Sequence, residues 1–227
     1  MINRVAAIKD LVQVKNVIIS VADKKKLDFF VNELAEINPD CTIYSTGGTH
    51  RKIADILGDK GKKNLVKISD YTGNREMQGG LVKTLDYKLY LGLLSEPGNA
   101  AHEQDLDSTA SATFDMVVVN LYPFSGKIAE KETKLEDARA FIDIGGPCLL
   151  RAAAKNFLRV ASLCDPEDYA DVIQEMRENS GALGFNRRLR LSAKAFAHTT
   201  GYDGEIASYL SERLREDVHT EYSFTDR

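Results

Sequence analysis

The sequence predicts an α/β domain with a largely parallel sheet, and three observations predict it. Short apolar runs recur that suit buried strands: Val17-Ile18-Ile19-Ser20-Val21, Leu65-Val66-Lys67-Ile68 and Met116-Val117-Val118-Val119. Stretches with helical patterning lie between them, so strands and helices alternate at βαβ spacing. Glycines, hydroxyls and charged residues gather just after the runs, and in such sheets ligands bind beyond the carboxyl ends of the strands.

Each element has a local reason. After the first run, residues 25–36 carry Leu27, Phe30, Val31, Leu34 and Ala35 at helical spacing. Asn38-Pro39-Asp40 is a turn. Cys41-Thr42-Ile43-Tyr44 is the next expected strand, and 49–57 a helix. The stretch 69–85 holds Gly73, Gly79 and Gly80 and is expected to be a loop. A helix is expected over 86–94, and the polar stretch 96–113 as a mobile surface insertion. Residues 133–140 are expected to be helical, and Val160-Ala161-Ser162-Leu163 is the last expected strand. From Pro166 the chain is expected to be helical over 168–178, 186–197 and 204–214. The expected domain runs over 1–215, with a polar, frayed tail over 216–227.

Composition narrows the function classes. The 227 residues suit one large domain, or one domain with a helical appendix. A net charge of −4 gives no basic excess for nucleic acid or an anionic membrane. No run of about twenty apolar residues is present to span a membrane. The first ten residues are mixed and charged, without an apolar signal core. Cys41, Cys148 and Cys164 are widely spaced, which favours reduced thiols in a cytoplasmic protein over a disulfide framework or a zinc site.

The most informative segment is Ile142-Asp143-Ile144-Gly145-Gly146-Pro147, leading into Leu149-Leu150-Arg151-Ala152-Ala153-Ala154-Lys155-Asn156. A helix should start near Pro147. Gly145 and Gly146 open the backbone to a ligand, and first-turn N–H groups favour negative charge. Asp143 stands at the mouth, and Arg151 and Lys155 share one helix face. The plain alternative is a tight turn before a core helix.

Other strand ends carry similar chemistry. Ser45-Thr46-Gly47-Gly48-Thr49 could cradle a phosphate with backbone N–H groups and hydroxyls, with Lys24 supplying charge. A turn with a threonine cap reads equally well. Gly79-Gly80-Leu81-Val82-Lys83-Thr84-Leu85 offers a lysine and a hydroxyl, or simply a surface lysine. Asn120 and Tyr122, at the end of the 116–119 strand, would face the same crevice, unless Tyr122 is a core residue before a turn. The four histidines show no metal-ligand spacing, and no Ser/His/Asp or Cys/His nucleophile pattern has local support.

Together these segments, with Ile19-Ser20-Val21-Ala22-Asp23-Lys24, Asn120-Leu121-Tyr122-Pro123-Phe124 and Lys194-Ala195-Phe196-Ala197-His198-Thr199, resemble one family. It is the IMP cyclohydrolase domain of the bifunctional AICAR formyltransferase/IMP cyclohydrolase family. The resemblance covers about residues 15–210 and is most specific over 143–156. It implies a methylglyoxal-synthase-like, Rossmann-type sandwich with a mostly parallel sheet and C-terminal helices. It implies closure of the purine ring of 5-formamidoimidazole-4-carboxamide ribotide (FAICAR) to IMP and water, without cofactor or metal. By resemblance Lys83, Tyr122, Asp143 and Lys155 are the catalytic group. Ser20, Lys24, Ser45, Thr46, Gly47, Thr49, Thr84, Asn120, Ile144, Gly145, Gly146 and Arg151 bind the substrate and its phosphate. In this reading Lys83 and helix-end N–H groups stabilise the formyl oxygen, and Asp143 and Lys155 handle protons. A small homodimer is expected, with a separate formyltransferase upstream or a longer parent chain.

This chain departs from the family at Ala22 (commonly Ser), Leu81 (Arg), Asp86-Tyr87 (His-Pro) and Tyr90 (His). Two rivals follow. Methylglyoxal synthase, of the same fold, has no place for the 143–156 block. A non-catalytic nucleotide-binding regulatory domain would account for the departures, whereas the retained Lys83, Tyr122, Asp143 and Lys155 favour an enzyme.

Overall fold

The computed structural model describes residues 4–74, 82–130, 133–213, 218, 221–223 and 225. Strand β2 (Asn16–Val21) is followed by helix α1 (Leu27–Ile37), β3 (Thr42–Ser45), α2 (Gly47–Gly61), β4 (Leu65–Lys67) and the short α3 (Ile68–Thr72). Helices α4 (Tyr87–Leu94) and α5 (Ala100–Thr109) precede β5 (Met116–Asn120). Then come α6 (Phe124–Ile128), α7 (Leu135–Ala140), α8 (Gly145–Lys155), β6 (Ala161–Leu163), α9 (Tyr169–Glu178) and α10 (Phe185–Ser211). Two short strands, β1 (Val12–Gln13) and β7 (Ala182–Leu183), pair antiparallel apart from the main sheet.

The main sheet has five strands in the order β4-β3-β2-β5-β6. All its pairings are parallel, with Ile18 opposite both Tyr44 and Val117. Alternation along a strand sends successive side chains to opposite faces, and both faces are covered. Val17, Ile19 and Val21 pack with Leu27, Phe30, Val172 and Met176 on one side. Ile18, Val117 and Val119 pack with Leu149, Leu150, Ala153 and Tyr202 on the other. The result is a three-layer sandwich. From β2 the chain moves outward through β3 to β4, then returns to β5 on the opposite flank. That reversal opens a crevice beyond the ends of β2 and β5, the usual ligand position in such sheets.

Several expectations are corrected. The stretch expected as a loop over 69–85 begins inside α3, which buries Ile68. Residues 75–81, with Gly79, Gly80 and Leu81, lie outside the described residues. The expected insertion over 96–113 contains α5, whose cap Asn99 accepts the N–H groups of Ala101 and His102 and whose Leu106 is buried. The two expected C-terminal helices are one helix of 27 residues. Gly201 and Gly204 do not interrupt it, because burial of Thr199, Tyr202 and Tyr209 outweighs a glycine cost of about 1 kcal/mol each. The expected tail is partly docked: the Glu221 carboxylate accepts the N–H groups of Leu135 (2.8 Å) and Glu136 (3.1 Å), capping α7.

Candidate active site

A cleft of about 290 Å³ lies at the carboxyl ends of β2, β3 and β5, close to the lower end of small-ligand pocket sizes. Its lining includes Ser20, Lys24, Thr46, Gly47, Gly48, Thr49, Lys83, Thr84, Asn120, Tyr122, Asp143, Ile144, Gly145 and Gly146. Val21, Ala22, Ala140, Phe141, Ile142 and Leu149 complete it. Two lysines against a single carboxylate favour an anionic ligand.

The start of α2 builds the polar end. Gly47 takes φ = 44°, in the left-handed region, which lets β3 turn directly into the helix. The first-turn amides of α2 have no partner within the helix. The hydroxyls of Ser20 and Thr46 lie 3.1 Å apart at the lip. The Lys24 ammonium donates to the carbonyls of Val21 (3.0 Å) and Ala22 (3.3 Å), which holds it at the end of β2. Lys83 reaches over the same helix start: its Nζ lies 3.6 Å from where a Cβ on Gly47 would stand. The next residue, Thr84, faces the other helix start, with its hydroxyl 2.5 Å from a Cβ position on Gly145. Lys83 and Thr84 therefore bridge the N-termini of α2 and α8.

Asp143 dominates the α8 end. Its Oδ1 accepts the N–H of Gly146 at 2.9 Å, and its own N–H donates to the Tyr202 hydroxyl at 2.7 Å. Burial raises the Asp143 carboxyl above its ordinary value, opposed by hydrogen bonds from Gly146 and Gly145. The α8 amides expected to serve a ligand thus serve Asp143 instead. The helix also starts at Gly145, two residues earlier than Pro147. Tyr122 is 53% exposed and stands edge-on to Phe141, with ring centroids 6.1 Å apart, at the cleft wall. Asn120 lines the cleft while holding the β2–α1 loop: it accepts Asp23 N–H at 2.9 Å and donates to Asp23 carbonyl at 2.7 Å.

Four expected site residues are placed elsewhere or otherwise occupied. Ser45 is buried and donates its hydroxyl to the Ile19 carbonyl at 2.6 Å, tying β3 to β2. Arg151 is exposed on α8 and stacks on Phe196, 5.4 Å from the ring centroid. Lys155 is exposed in the last turn of α8 and does not line the cleft. Ten residues of helix beyond Gly145 carry it about 15 Å along the axis, away from the cleft mouth. Thr49 lines the cleft, but its hydroxyl both donates to and accepts from Val21.

The departures acquire local roles. Asp86 caps α4 by accepting the Lys88 N–H at 2.8 Å. Tyr90 is partly buried, and its pKa is pushed well up by burial and then by its neighbour Cys148. Leu81 lies outside the described residues. Sequence reasoning missed Tyr202, which sits 59 residues beyond Asp143 with no local pattern to mark it. Among the described residues, no group of three or more His, Cys, Asp or Glu could hold a metal ion. Burial pushes the Cys41 thiol up to about 12 and Cys164 up to about 11, so neither is a ready thiolate. No described helix is long and apolar enough to cross a membrane.

Comparison with known proteins agrees with this architecture. The family described as MGS-like domain matches residues 26–148, and that described as AICARFT/IMPCHase bienzyme matches 153–226. The bifunctional purine biosynthesis protein PurH of Acidithiobacillus ferrooxidans is 42% identical over 200 residues. The match takes in 88% of this chain but 37% of that relative's length. A crystal structure of ForH superposes with a TM-score of 0.72 at 28% identity, covering 86% of this chain and 97% of ForH. The chain belongs to the MGS-like domain family.

Proposed function

We propose that this chain is an IMP cyclohydrolase of purine biosynthesis, closing FAICAR to IMP and water. One observation carries the reading: Lys83, Tyr122 and Asp143 line the cleft that also holds the α2 helix start and Lys24. A cationic helix start suits the 5′-phosphate. A half-buried carboxyl with a raised pKa beside an aromatic wall suits proton transfer on a planar heterocycle.

The reaction is intramolecular, so the cleft must hold a near-attack conformer, stabilise charge on one oxygen and move protons. The carboxamide nitrogen attacks the formyl carbon, forming the C–N bond. Asp143 accepts the proton that this nitrogen sheds. Lys83 stabilises charge on the formyl oxygen, Tyr122 passes its hydroxyl proton to that oxygen to make a hydroxyl, and the proton taken up by Asp143 returns to the Tyr122 phenolate through water. Loss of that hydroxyl with the formamide N–H proton releases water and leaves the aromatic ring. These steps need no oxidant or reductant. Lys155 has no part in the scheme as drawn, since it stands outside the cleft.

FAICAR would come from a formyl transfer made by another domain or a separate formyltransferase. A homodimer smaller than that of a longer bifunctional chain belongs to the same proposal. The alternative, a nucleotide-binding regulatory domain, predicts IMP binding without turnover. Purified protein mixed with FAICAR should generate the absorbance of IMP. Tight IMP binding with no conversion would replace the enzyme with the regulatory reading.

A further inference from the structure

We propose that Tyr202 is a positioning residue for the ring-closure reaction, holding Asp143 in the cleft through its backbone; this rests on the cyclohydrolase reading. Three observations support it. The Tyr202 hydroxyl accepts the Asp143 N–H at 2.7 Å and reaches the Phe141 carbonyl at 3.4 Å. One oxygen thus grips both ends of the three-residue wall 141–143. Tyr202 is 6% exposed, and its ring meets Phe124 edge-on, with centroids 6.4 Å apart. Phe124 lies two residues after Tyr122, so the same side chain braces the loop that carries the other proposed catalytic residue. Finally, Asp143 receives its remaining bonds from the start of α8, at Gly146 and Gly145. With the backbone N–H held by α10 and the carboxylate by α8, the carboxyl group has little freedom to rotate out of the cleft.

The wall is short. It follows directly on α7, a helix of six residues, and Phe141 is 37% exposed. Without the hydroxyl, the Asp143 N–H loses its acceptor, and a buried unpaired amide favours a shift toward water. Pre-organisation within about 0.5 Å is what a proton-moving carboxylate needs. The hydrogen bonds and ring contact of Tyr202 go to Asp143, Phe141 and Phe124 rather than to the phosphate end built from α2 and Lys24, so substrate capture should be spared.

Tyr202→Phe tests this, because it keeps the ring and its contact with Phe124. The expected result is a fall in kcat of tenfold or more with KM for FAICAR changed less than threefold. In an Asp143→Ala background the same substitution should change kcat less than twofold, since the group being positioned is gone. Carbon-13 NMR of labelled aspartate supplies a readout that does not need turnover. The charged groups that act on the hydroxyl are Asp143 itself, Asp203 and Glu205. The Asp143 carboxyl should titrate at lower pH in Tyr202→Phe, as it gains water. A kcat within twofold of an active wild type, with Asp143 titrating unchanged, overturns the inference and leaves the cyclohydrolase reading intact. A wild type that binds IMP but closes no ring overturns that reading, and the positioning role for this reaction falls with it.

Discussion

A Cβ on Gly145 would stand 2.5 Å from the hydroxyl oxygen of Thr84, closer than real Cβ contacts come. The two residues are the seam between the Lys83 segment and the start of α8, and Thr84 is buried there. Gly145→Ala must therefore push Thr84 away and carry Lys83 with it. Overpacking of this kind costs about 1–3 kcal/mol of stability. Catalytic efficiency should fall tenfold or more, beyond what partial unfolding explains. Paired thermal melts and steady-state kinetics on the variant would separate the two effects.

Lys24 stands at the polar end of the cleft, held by the carbonyls of Val21 and Ala22. The phosphate of the proposed ribotide does not change during ring closure, so a Lys24 contact with it would bind ground state and transition state alike. Lys24→Ala should raise KM on the order of 10- to 100-fold, matching about 1.5–3 kcal/mol for one charge-assisted bond, with kcat nearly kept. An equal fall in kcat at constant KM would move Lys24 from the phosphate to the chemistry.

Burial lifts the Asp143 carboxyl above its ordinary value of 3.8. The folded protein then binds this proton more tightly than the unfolded chain does. The associated stability is fully present below the unfolded pKa and is lost as pH rises through the folded one. Asp143→Asn keeps an acceptor for the Gly146 N–H but cannot ionise. The variant should gain stability relative to wild type as pH rises above about 4, while kcat drops about 10²-fold or more, the usual worth of a positioned acid–base group. Melting temperatures across that range, beside a ring-closure assay, check both halves.

Lys155 gives the sharpest contrast between resemblance and geometry. It ends α8 on the exposed face, outside the cleft. Lys155→Ala should change kcat by less than about threefold, whereas a group moving protons in the cleft would cost about 10²-fold. A loss of the larger size would mean that another chain's surface, rather than this one alone, completes the site. The measurement is a kcat comparison repeated over a range of protein concentrations.

The parallel sheet was legible because its cause is local. Val17 to Val21 and Met116 to Val119 are apolar on both faces, and only a strand covered on both sides accommodates that. The junction at Asp143, Gly145 and Gly146 was legible for a similar reason: a glycine pair before a helix leaves room for close approach of a neighbouring segment, here Thr84. Local pattern failed where packing decided. Gly201 and Gly204 read as a break, but the core contacts of Thr199, Tyr202 and Tyr209 keep α10 continuous. That error hid Tyr202, whose hydroxyl meets Asp143 only because α10 crosses α8. Ser45 and Thr49 looked like phosphate ligands by residue type, yet their hydroxyls are engaged by Ile19 and Val21 on the neighbouring strand. Spacing along a chain determines which residues share a helix face. Which face turns toward the cleft, as for Arg151 and Lys155, is decided by the apolar stripe of Leu149, Leu150, Ala153 and Ala154, since burying that stripe leaves the two cations outside.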